Sequence, residues 1–322
     1  MLCKSVRPVS YILIIAFSCF RLYHADITIR EEAMVLEAFA KINWSLDITG
    51  MREDGYHFMD MLMQPVSLSD EITLSPGRDI GITTGGWPPS RADETNLAYR
   101  AAQALQKESG YPHGAQIHVH KRIPIGAGMG GGSTDAAAVL TGLNRMWGTG
   151  LSSSELENIG LSLGADVPFF IRGGLARTRG IGEDLECHDC PHNYWLIVIQ
   201  PCPGLSTGQV FSLWHSTIPA RRPDTERALQ ALKSGDLPAL CDSIDNVLQP
   251  VSETLRPEIV RACASLSDAG AAVSRMTGSG SAVFGVFRSS EAARKAYRRL
   301  SSAYRTIFLC HTQHDSVRVV QE

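Results

Sequence analysis

The residues whose types and spacing most clearly suggest a chemical role form a glycine-rich run at residues 124–140, PIGAGMGGGSTDAAAVL. Its glycines carry no Cβ, so several backbone N–H groups can turn toward one anion and approach it closely. Ser133, Thr134 and Asp135 are candidate N-cap residues of a helix that the following alanines extend. The pattern therefore predicts a phosphate site at a helix N-terminus.

Two familiar phosphate motifs fit this run poorly. A Walker loop requires Gly-Lys-Ser/Thr, and no lysine follows these glycines. Gly126, Gly128 and Gly131 satisfy G-x-G-x-x-G, but a dinucleotide site also needs an acidic residue about 20 positions later at the end of a strand. The nearest acid, Glu155, lies in a capping-box helix start that begins at Ser152. The Walker-type and dinucleotide-binding classes are therefore disfavoured. The alternative to a phosphate site is a glycine-rich turn that binds no ligand.

A lysine and an aspartate elsewhere are candidates for chemistry on a phosphate. Lys41 and Asn43 are two positions apart in a strand-like segment, so they share one face of that strand. Lys41 could equally be a solvated strand lysine. Asp166 is a single acid within the apolar segment GADVPFF. It is either a turn or N-cap residue or, if buried beside a lysine, a candidate general base.

Aromatic and metal-binding residue types occur at other points of the chain. Tyr56 and His57 follow an Asp-Gly turn and could stack on a planar ring, although such residues more often serve packing. His118 and His120 share a strand face, and residues 187–190 read Cys-His-Asp-Cys. Neither group has further ligands at a metal-site spacing, so solvated histidines and free thiols are favoured.

The composition bounds the class of protein. A length of 322 residues suggests two domains at about 150 residues each. The content of 44% hydrophobic and 20% charged residues is that of a globular protein, and the net charge of -3 gives no general attraction to nucleic acid or membrane. The eight cysteines are scattered, which favours a reducing compartment over a disulfide framework.

The N-terminus allows three interpretations. Lys4 and Arg7 precede an apolar run at residues 9–20, which is shorter than the roughly 20 residues that span a bilayer. It could be an export or anchor signal, an ordered extension, or sequence upstream of a true start at Met34. The third is favoured if the predicted phosphate site serves an enzyme that consumes a nucleoside triphosphate, because such an enzyme belongs where that donor is made. We therefore expect residues 1–33 to lie outside the fold and the location to be cytoplasmic.

Five segments of the chain occur together in the order typical of one family. They are AKIN at residues 40–43, DGYH at 54–57, the run at 124–138, GADVPFF at 164–170 and a second glycine-rich piece at 276–285. The last piece could by itself be a Ser/Gly hairpin. From about Met34 to the C-terminus the chain resembles the GHMP kinases.

The resemblance implies an α+β protein with a two-domain GHMP kinase fold. Residues 34–185 would form an N-terminal α/β domain like ribosomal S5 domain 2, and residues 186–322 a ferredoxin-like domain. The active site would lie between them, with the loop at 278–281 closing over it. Lys41 and Asp166 match the catalytic pair of the family: Asp166 would take the proton of the substrate hydroxyl, and Lys41 would stabilise the charge. Residues near the ATP phosphates and adenine would be Asn96, Pro124, Gly126, Gly128, Gly130, Gly131, Gly132, Ser133 and Thr134.

Within the family, the chain is most similar to members that phosphorylate a cytidyl diphosphate sugar alcohol in non-mevalonate isoprenoid precursor biosynthesis. Asn43 would help place the acceptor, Tyr56 and His57 would surround the cytosine, and Phe211 would cover the ring from the other side. Thr207 is a weaker match, because the segment before Phe211 is short. ATP would be the phosphoryl donor with Mg²⁺, whose protein ligands the motifs do not identify, and the protein would be a monomer or homodimer. The alternatives are a kinase acting on mevalonate or homoserine, and a non-catalytic ligand-binding module.

Overall fold

The computed structural model describes residues 33–53, 55–214, 219 and 221–322. The predicted N-terminal extension, with the apolar run at residues 9–20, therefore lies outside the described residues except for Ala33. Residues Glu32–Glu322 form one compact unit. Within the described ranges, no helix combines the length and apolar character needed to cross a bilayer.

The larger of the two sheets in the described part of the chain has seven strands. Numbered in chain order, they are β1 (Met34–Met51), β2 (His57–Gly77), β3 (Gly81–Gly86), β4 (Gly114–Lys121), β5 (Leu175–Gly180), β6 (Asp184–His188) and β11 (Val317–Gln321). The strand order is β11-β1-β2-β4-β3, and β5 joins β2 to β6. Only the β3–β4 pair is parallel among these described pairs.

The long strand β2 joins two parts of this sheet, because its two ends pair with different strands. Its first part, from Met59 to Met63, pairs with β5, and its last part, from Glu71 to Gly77, pairs with β4. The predicted strand pattern over Val35–Ile48 is confirmed by β1. Its middle residues are buried on both faces, so a polar side chain there needs a partner inside the protein.

The smaller sheet comprises β7 (Trp195–Ile199), β8 (Val273–Met276), β9 (Val283–Phe287) and β10 (Ile307–His311), in the order β10-β7-β9-β8. All its pairs are antiparallel. With the helices between β7 and β8 and between β9 and β10, this is the β-α-β-β-α-β arrangement of a ferredoxin-like fold. The expected α+β class and ferredoxin-like half are confirmed.

The helices lie between these strands. They are α1 (Leu97–Ser109), α2 (Gly131–Trp147), α3 (Ser153–Leu163), α4 (Val167–Arg172), α5 (Thr207–Trp214), α6 (Thr225–Ser234), α7 (Leu237–Ser243), α8 (Gln249–Leu255), α9 (Glu258–Asp268) and α10 (Ser290–Leu300). The capping box predicted at Ser152 and Glu155 opens α3 as expected.

Helix α2 is deeply buried near its N-terminus and fixes the glycine-rich loop that precedes it. Residues 134–140 are all buried, and the helix packs on β1, β2 and α1. A Cβ at Gly142 would lie 2.5 Å from Leu74 Cδ1, so the backbone of α2 approaches the sheet more closely than any larger residue would allow. The N-terminus of α2 therefore has a fixed position above β1 and β2.

The predicted domain boundary between residues 185 and 186 stays a prediction. It falls within β6, which belongs to the larger sheet. The C-terminal strand β11 also returns to that sheet and pairs with β1. The end of the chain thus supports the strand that carries Lys41 and Asn43.

Candidate functional site

The glycine-rich loop between β4 and α2 lines a cavity of about 590 Å³. Gly126, Gly128 and Gly130 have φ angles of 66°, 77° and 73°, in the left-handed region that favours glycine. The cavity wall includes most residues predicted to contact ATP: Asn96, Pro124, Gly126, Gly128, Gly130, Gly131, Gly132 and Ser133. Thr134 is not part of this wall, because it is fully buried and its Oγ1 donates to the Ser316 carbonyl at 3.5 Å.

The predicted N-cap of α2 is wrong. Gly130 occupies the cap position and supplies no side-chain hydrogen bond, while Ser133, Thr134 and Asp135 lie inside the helix. The reason is the left-handed Gly130, which starts the helix three residues earlier than a side-chain cap would. The first N–H groups of α2 are left without a capping side chain, as an anion site requires.

Asn96 is the N-cap residue of α1, and it lines the same cavity. Its Oδ1 accepts a hydrogen bond from the Ala98 N–H at 3.0 Å, and its Nδ2 donates to the Arg91 carbonyl at 2.7 Å. Both ends of the amide are therefore held by backbone groups. The side chain is a rigid part of the wall rather than a mobile ligand arm.

Lys41 and Asn43 lie on one face of β1, beneath the glycine-rich loop. The interpretation of Lys41 as a solvated lysine is wrong, because only 4% of the residue is exposed. Its Nζ donates to Asn43 Oδ1 at 2.5 Å, and its backbone N–H donates to the Met129 carbonyl at 3.0 Å. A Cβ at Gly130 would lie 3.4 Å from Lys41 Cγ, so the loop rests directly on this side chain.

Burial lowers the pKa of Lys41, and the nearby charge of Asp166 acts in the opposite direction. Asp166 is half-buried at the residue before α4 and makes no N-cap hydrogen bond with its side chain. Asp166 therefore occupies the turn and N-cap position that one interpretation predicted, but its side chain does not cap the helix. A Cβ at Gly164 would lie 3.9 Å from Ser133 Oγ, which places the turn bearing Asp166 beside the first turn of α2.

A second cavity, of about 610 Å³, has an aromatic wall. It is lined by four of the five residues predicted to bind the acceptor substrate, Tyr56, His57, Thr207 and Phe211. Ala165 also lines it, so this cavity reaches the residue next to the candidate base, although Asp166 itself is not in its wall. Asn43 is not in its wall and stays with Lys41 on β1.

The rings of His57 and Phe211 are 5.0 Å apart and tilted by 37°. A base inserted between two rings needs them roughly 7 Å apart, at two van der Waals contacts. These two rings therefore contact each other and form one side of the cavity. Tyr56, which is 63% exposed, lines the same cavity.

Sequence reasoning missed a buried group of three charges below the loop. Lys121, at the end of β4, forms ion pairs with Asp70 of β2 and, at 2.7 Å, with Asp135 of α2. Burial alone would lower the pKa of Lys121, but the carboxylates of Asp135 and Asp70 outweigh it and leave that pKa raised. Burial raises the pKa of Asp135 to about 8, against the opposing charge of Lys121. The one available signal was an acid between Thr134 and a run of alanines, where an apolar helix face is expected.

The described residues offer no metal cage. No group of three His, Cys, Asp or Glu residues within them could surround an ion. His118 instead lies 2.9 Å from Thr83 Oγ1, and the buried Cys190 thiol donates to the Leu232 carbonyl. Burial raises the pKa of Cys190, so it is an inert thiol rather than a thiolate ligand.

Comparison with known proteins adds independent information. The family model for the GHMP kinase N-terminal domain matches residues 96–174, and that for the C-terminal domain matches residues 228–306. The 4-diphosphocytidyl-2-C-methyl-D-erythritol kinase of Alkaliphilus metalliredigens is 41% identical over 277 residues, which are 85% of this chain and 94% of the relative.

Two solved structures resemble this one over most of their length. A crystal structure of 4-(cytidine 5'-diphospho)-2C-methyl-D-erythritol kinase has a TM-score of 0.74 and 34% identity, covering 87% of this chain and 99% of the other. A crystal structure of homoserine kinase from Cytophaga hutchinsonii has a TM-score of 0.71 and 18% identity, covering 90% of this chain and 98% of the other. The second likeness concerns the fold alone.

Proposed function

The chain belongs to the GHMP kinase family, and we propose that it transfers the γ-phosphoryl group of ATP to the 2-hydroxyl of 4-diphosphocytidyl-2-C-methyl-D-erythritol. As a member of that family it is an ATP-dependent small-molecule kinase. The observation that carries the choice of substrate is the aromatic cavity beside Asp166, separate from the glycine-rich loop. A cytidine ring needs such a surface, whereas mevalonate and homoserine have no ring to stack.

In this proposal, Asp166 takes the proton of the acceptor hydroxyl. It is half-buried, its side chain is not used as a helix cap, and its neighbour Ala165 lines the acceptor cavity. Transfer of the proton increases the nucleophilicity of the oxygen as it attacks the γ-phosphorus, and the O–P bond to ADP breaks in line.

Lys41 supplies the cation that a Walker lysine supplies in other kinases. Its side-chain stem lies under Gly130, and its ammonium is close enough to Asp166 for the two charges to interact. A buried cation at that position stabilises negative charge on the acceptor oxygen and on the transferred group more strongly than a solvated one would. Asn43 fixes the ammonium through their hydrogen bond.

The loop at residues 126–132 and the first turn of α2 bind the phosphates of ATP. Left-handed glycines turn successive N–H groups toward one point, and the helix N-terminus carries a partial positive charge. Asn96 and Pro124 form the wall on the side of the nucleoside.

Mg²⁺ is proposed to arrive bound to ATP. Magnesium in kinases is held by substrate phosphates, water and one or two protein oxygens, so the lack of a three-residue cage within the described residues fits this mode. Bound there, the ion neutralises phosphate charge. The hydroxyl of Ser133 lines the loop cavity and is a candidate oxygen ligand from the chain.

Asp166→Asn tests the proposed base. We expect the variant to bind ATP as the wild type does while turnover falls by roughly 100- to 10,000-fold, because the amide cannot accept the proton. Binding would be measured by calorimetry and turnover by release of ADP. Asp236→Asn is the matched control, since Asp236 also precedes a short helix with proline at its second position. Normal turnover in Asp166→Asn would remove this residue from the mechanism.

We further propose a cytoplasmic location, because ATP and reduced thiols belong to that compartment. The six cysteines of the described residues are free, and Cys190 and Cys310 are buried. Cell fractionation with an antibody to the C-terminal half would check the location, and recovery in the membrane fraction would contradict it.

A further inference from the structure

The glycine-rich loop before α2 lies with its backbone directly against the backbone of a second glycine-rich loop, at residues 277–281. A Cβ at Gly128 would lie 2.2 Å from the Thr277 carbonyl oxygen, and a Cβ at Gly278 would lie 2.8 Å from the Gly128 carbonyl oxygen. Ala282 N–H also donates to the Ala127 carbonyl at 3.2 Å. Since no side chain separates the two loops, a polar group on one can reach the site formed by the other.

That polar group is the hydroxyl of Thr277, which is fully buried. Its Oγ1 accepts a hydrogen bond from the Asn43 N–H at 3.0 Å. The hydroxyl lies 3.3 Å from both Asn43 Oδ1 and the Gly128 carbonyl, to either of which it can donate. One side chain therefore joins β1, the phosphate loop and the second glycine-rich loop.

The other contacts of Asn43 explain why this hydroxyl matters. Asn43 Oδ1 is the hydrogen-bond acceptor of the Lys41 ammonium, at 2.5 Å. Among the described residues, the hydrogen-bond partner of its Nδ2 is Met61 Sδ, at 3.5 Å, a weak acceptor that does not fix the orientation of an amide. The last torsion of asparagine is broad, so the amide plane needs a second strong partner to keep its oxygen toward Lys41.

We propose that Thr277 is a positioning residue for phosphoryl transfer, holding the Asn43 amide so that the Lys41 ammonium keeps its place between donor and acceptor. This inference rests on the proposed function, in which Lys41 stabilises the transferred charge. Thr277 is in turn held in place, because Asn246 Nδ2 donates to the Met276 carbonyl at 2.9 Å and to the Gly278 carbonyl at 2.8 Å. The second loop is thus rigid enough to orient Asn43.

Thr277→Val tests the inference, because valine keeps the shape of threonine and removes only the hydroxyl. We expect kcat to fall roughly 10- to 100-fold, the effect of a displaced catalytic group, with the KM for ATP changed less than about twofold. Thr277→Ser restores the hydroxyl and should recover most of kcat. A Thr277→Val variant with wild-type kcat would overturn the inference.

A double-mutant cycle separates positioning through Asn43 from general damage to the fold. In an Asn43→Ala background, Thr277→Val should have little further effect on kcat, since the group it orients is absent. An equal loss of kcat in both backgrounds would show that Thr277 acts by another route and would overturn the inference.

A third measurement requires no substrate. The Lys41 side-chain signal, followed by NMR in lysine-labelled protein, should shift in Thr277→Val and in Asn43→Ala but not in Thr277→Ser. An unchanged Lys41 signal in Thr277→Val would contradict the inference even if the wild type phosphorylated a different acceptor. Conversely, the expected shifts in a protein inactive on the cytidyl substrate would leave this inference standing and contradict the proposed function.

Discussion

At the scale of single residues, Lys41 is a buried cation held by an amide. Its hydrogen bond goes to Asn43, and the Asp166 carboxylate acts on it by charge. Removing an ammonium from water is costly, and one neutral acceptor offsets only part of that cost. Such a residue lowers the stability of the fold, which is expected when its charge serves the reaction.

Lys41→Met should therefore stabilise the protein while abolishing turnover. A buried charge replaced by an apolar side chain of similar length is expected to raise the free energy of unfolding by about 1–3 kcal/mol at pH 7. Because burial lowers the pKa of Lys41, the wild type regains this stability as the pH rises from the folded pKa toward the unfolded value of 10.5. The difference between variant and wild type should then shrink.

Urea unfolding at pH 7 and at pH 10 measures both effects. Lys233→Met, at an exposed lysine in the last turn of α6, is the control for loss of a charge at the surface. A Lys41→Met variant less stable than the wild type at pH 7 would show that the ammonium contributes to the fold, contrary to this account.

At the scale of elements, the phosphate loop is fastened at both of its ends to β2. Asp70 Oδ1 accepts hydrogen bonds from the backbone N–H groups of Arg122, at 2.6 Å, and Ile123, at 2.9 Å, where the loop leaves β4. Lys121 connects Asp70 to Asp135, where the loop has entered α2. The glycines between these ends have no side chains that could hold them in place, but the loop they form is fixed at its start and at its end.

Lys121→Met should break this fastening. Removing one partner of a buried ion-pair group leaves the others uncompensated, and a loss of about 3–5 kcal/mol in the free energy of unfolding is expected. Asp135 already has a pKa raised to about 8, and loss of the lysine raises it further. A carboxylate with a raised pKa stabilises the fold at low pH, and this stability is lost as the pH rises until it passes the folded pKa. The wild type stops losing it at about pH 8, whereas the variant should continue to lose it above pH 8, so the two should diverge between about pH 7 and pH 10.

Denaturant unfolding over that pH range tests this prediction, with Lys107→Met in the exposed last turn of α1 as the control. Equal stability of Lys121→Met and wild type throughout the range would mean that the three charges do not hold the loop.

The contact between the two glycine-rich loops gives a separate prediction. Gly128 and Gly148 both have positive φ angles, 77° and 63°, but a Cβ at Gly148 would have no heavy atom within 4 Å. Alanine at either position costs about 1–2 kcal/mol of backbone strain. Gly128→Ala adds a clash with the Thr277 carbonyl and should lose a further 1–3 kcal/mol or so, with lower turnover.

Thermal unfolding and ADP release for the two alanine variants measure the difference between them. If Gly128→Ala matched Gly148→Ala in both stability and turnover, the close contact of the loops would have no energetic consequence.

At the scale of the whole molecule, the sequence predicted local features well and distant contacts poorly. The strand carrying Lys41, the glycine-rich loop, the capping box at Ser152 and the α+β class all follow from residue types and spacing that act within a few positions. Two cavities then bring most of the predicted binding residues together, and their roles remain proposals.

The contacts that spacing could not predict join residues far apart in the chain. Asp70 and Lys121 are 51 positions apart, and Asn43 and Thr277 are 234 apart. Each looks like an ordinary polar residue of a strand or turn until the fold buries it beside its partner. The same limit explains the wrong N-cap, because Asp135 is used by Lys121 rather than by its own helix.

The whole molecule is proposed to phosphorylate a cytidyl diphosphate sugar alcohol. Its most direct test is release of ADP from Mg²⁺-ATP by the purified protein with 4-diphosphocytidyl-2-C-methyl-D-erythritol, mevalonate or homoserine as the acceptor. We expect acceptor-dependent release with the cytidyl compound, at a kcat/KM at least roughly 100-fold above the other two. No release with that compound, or equal release with mevalonate or homoserine, would contradict it.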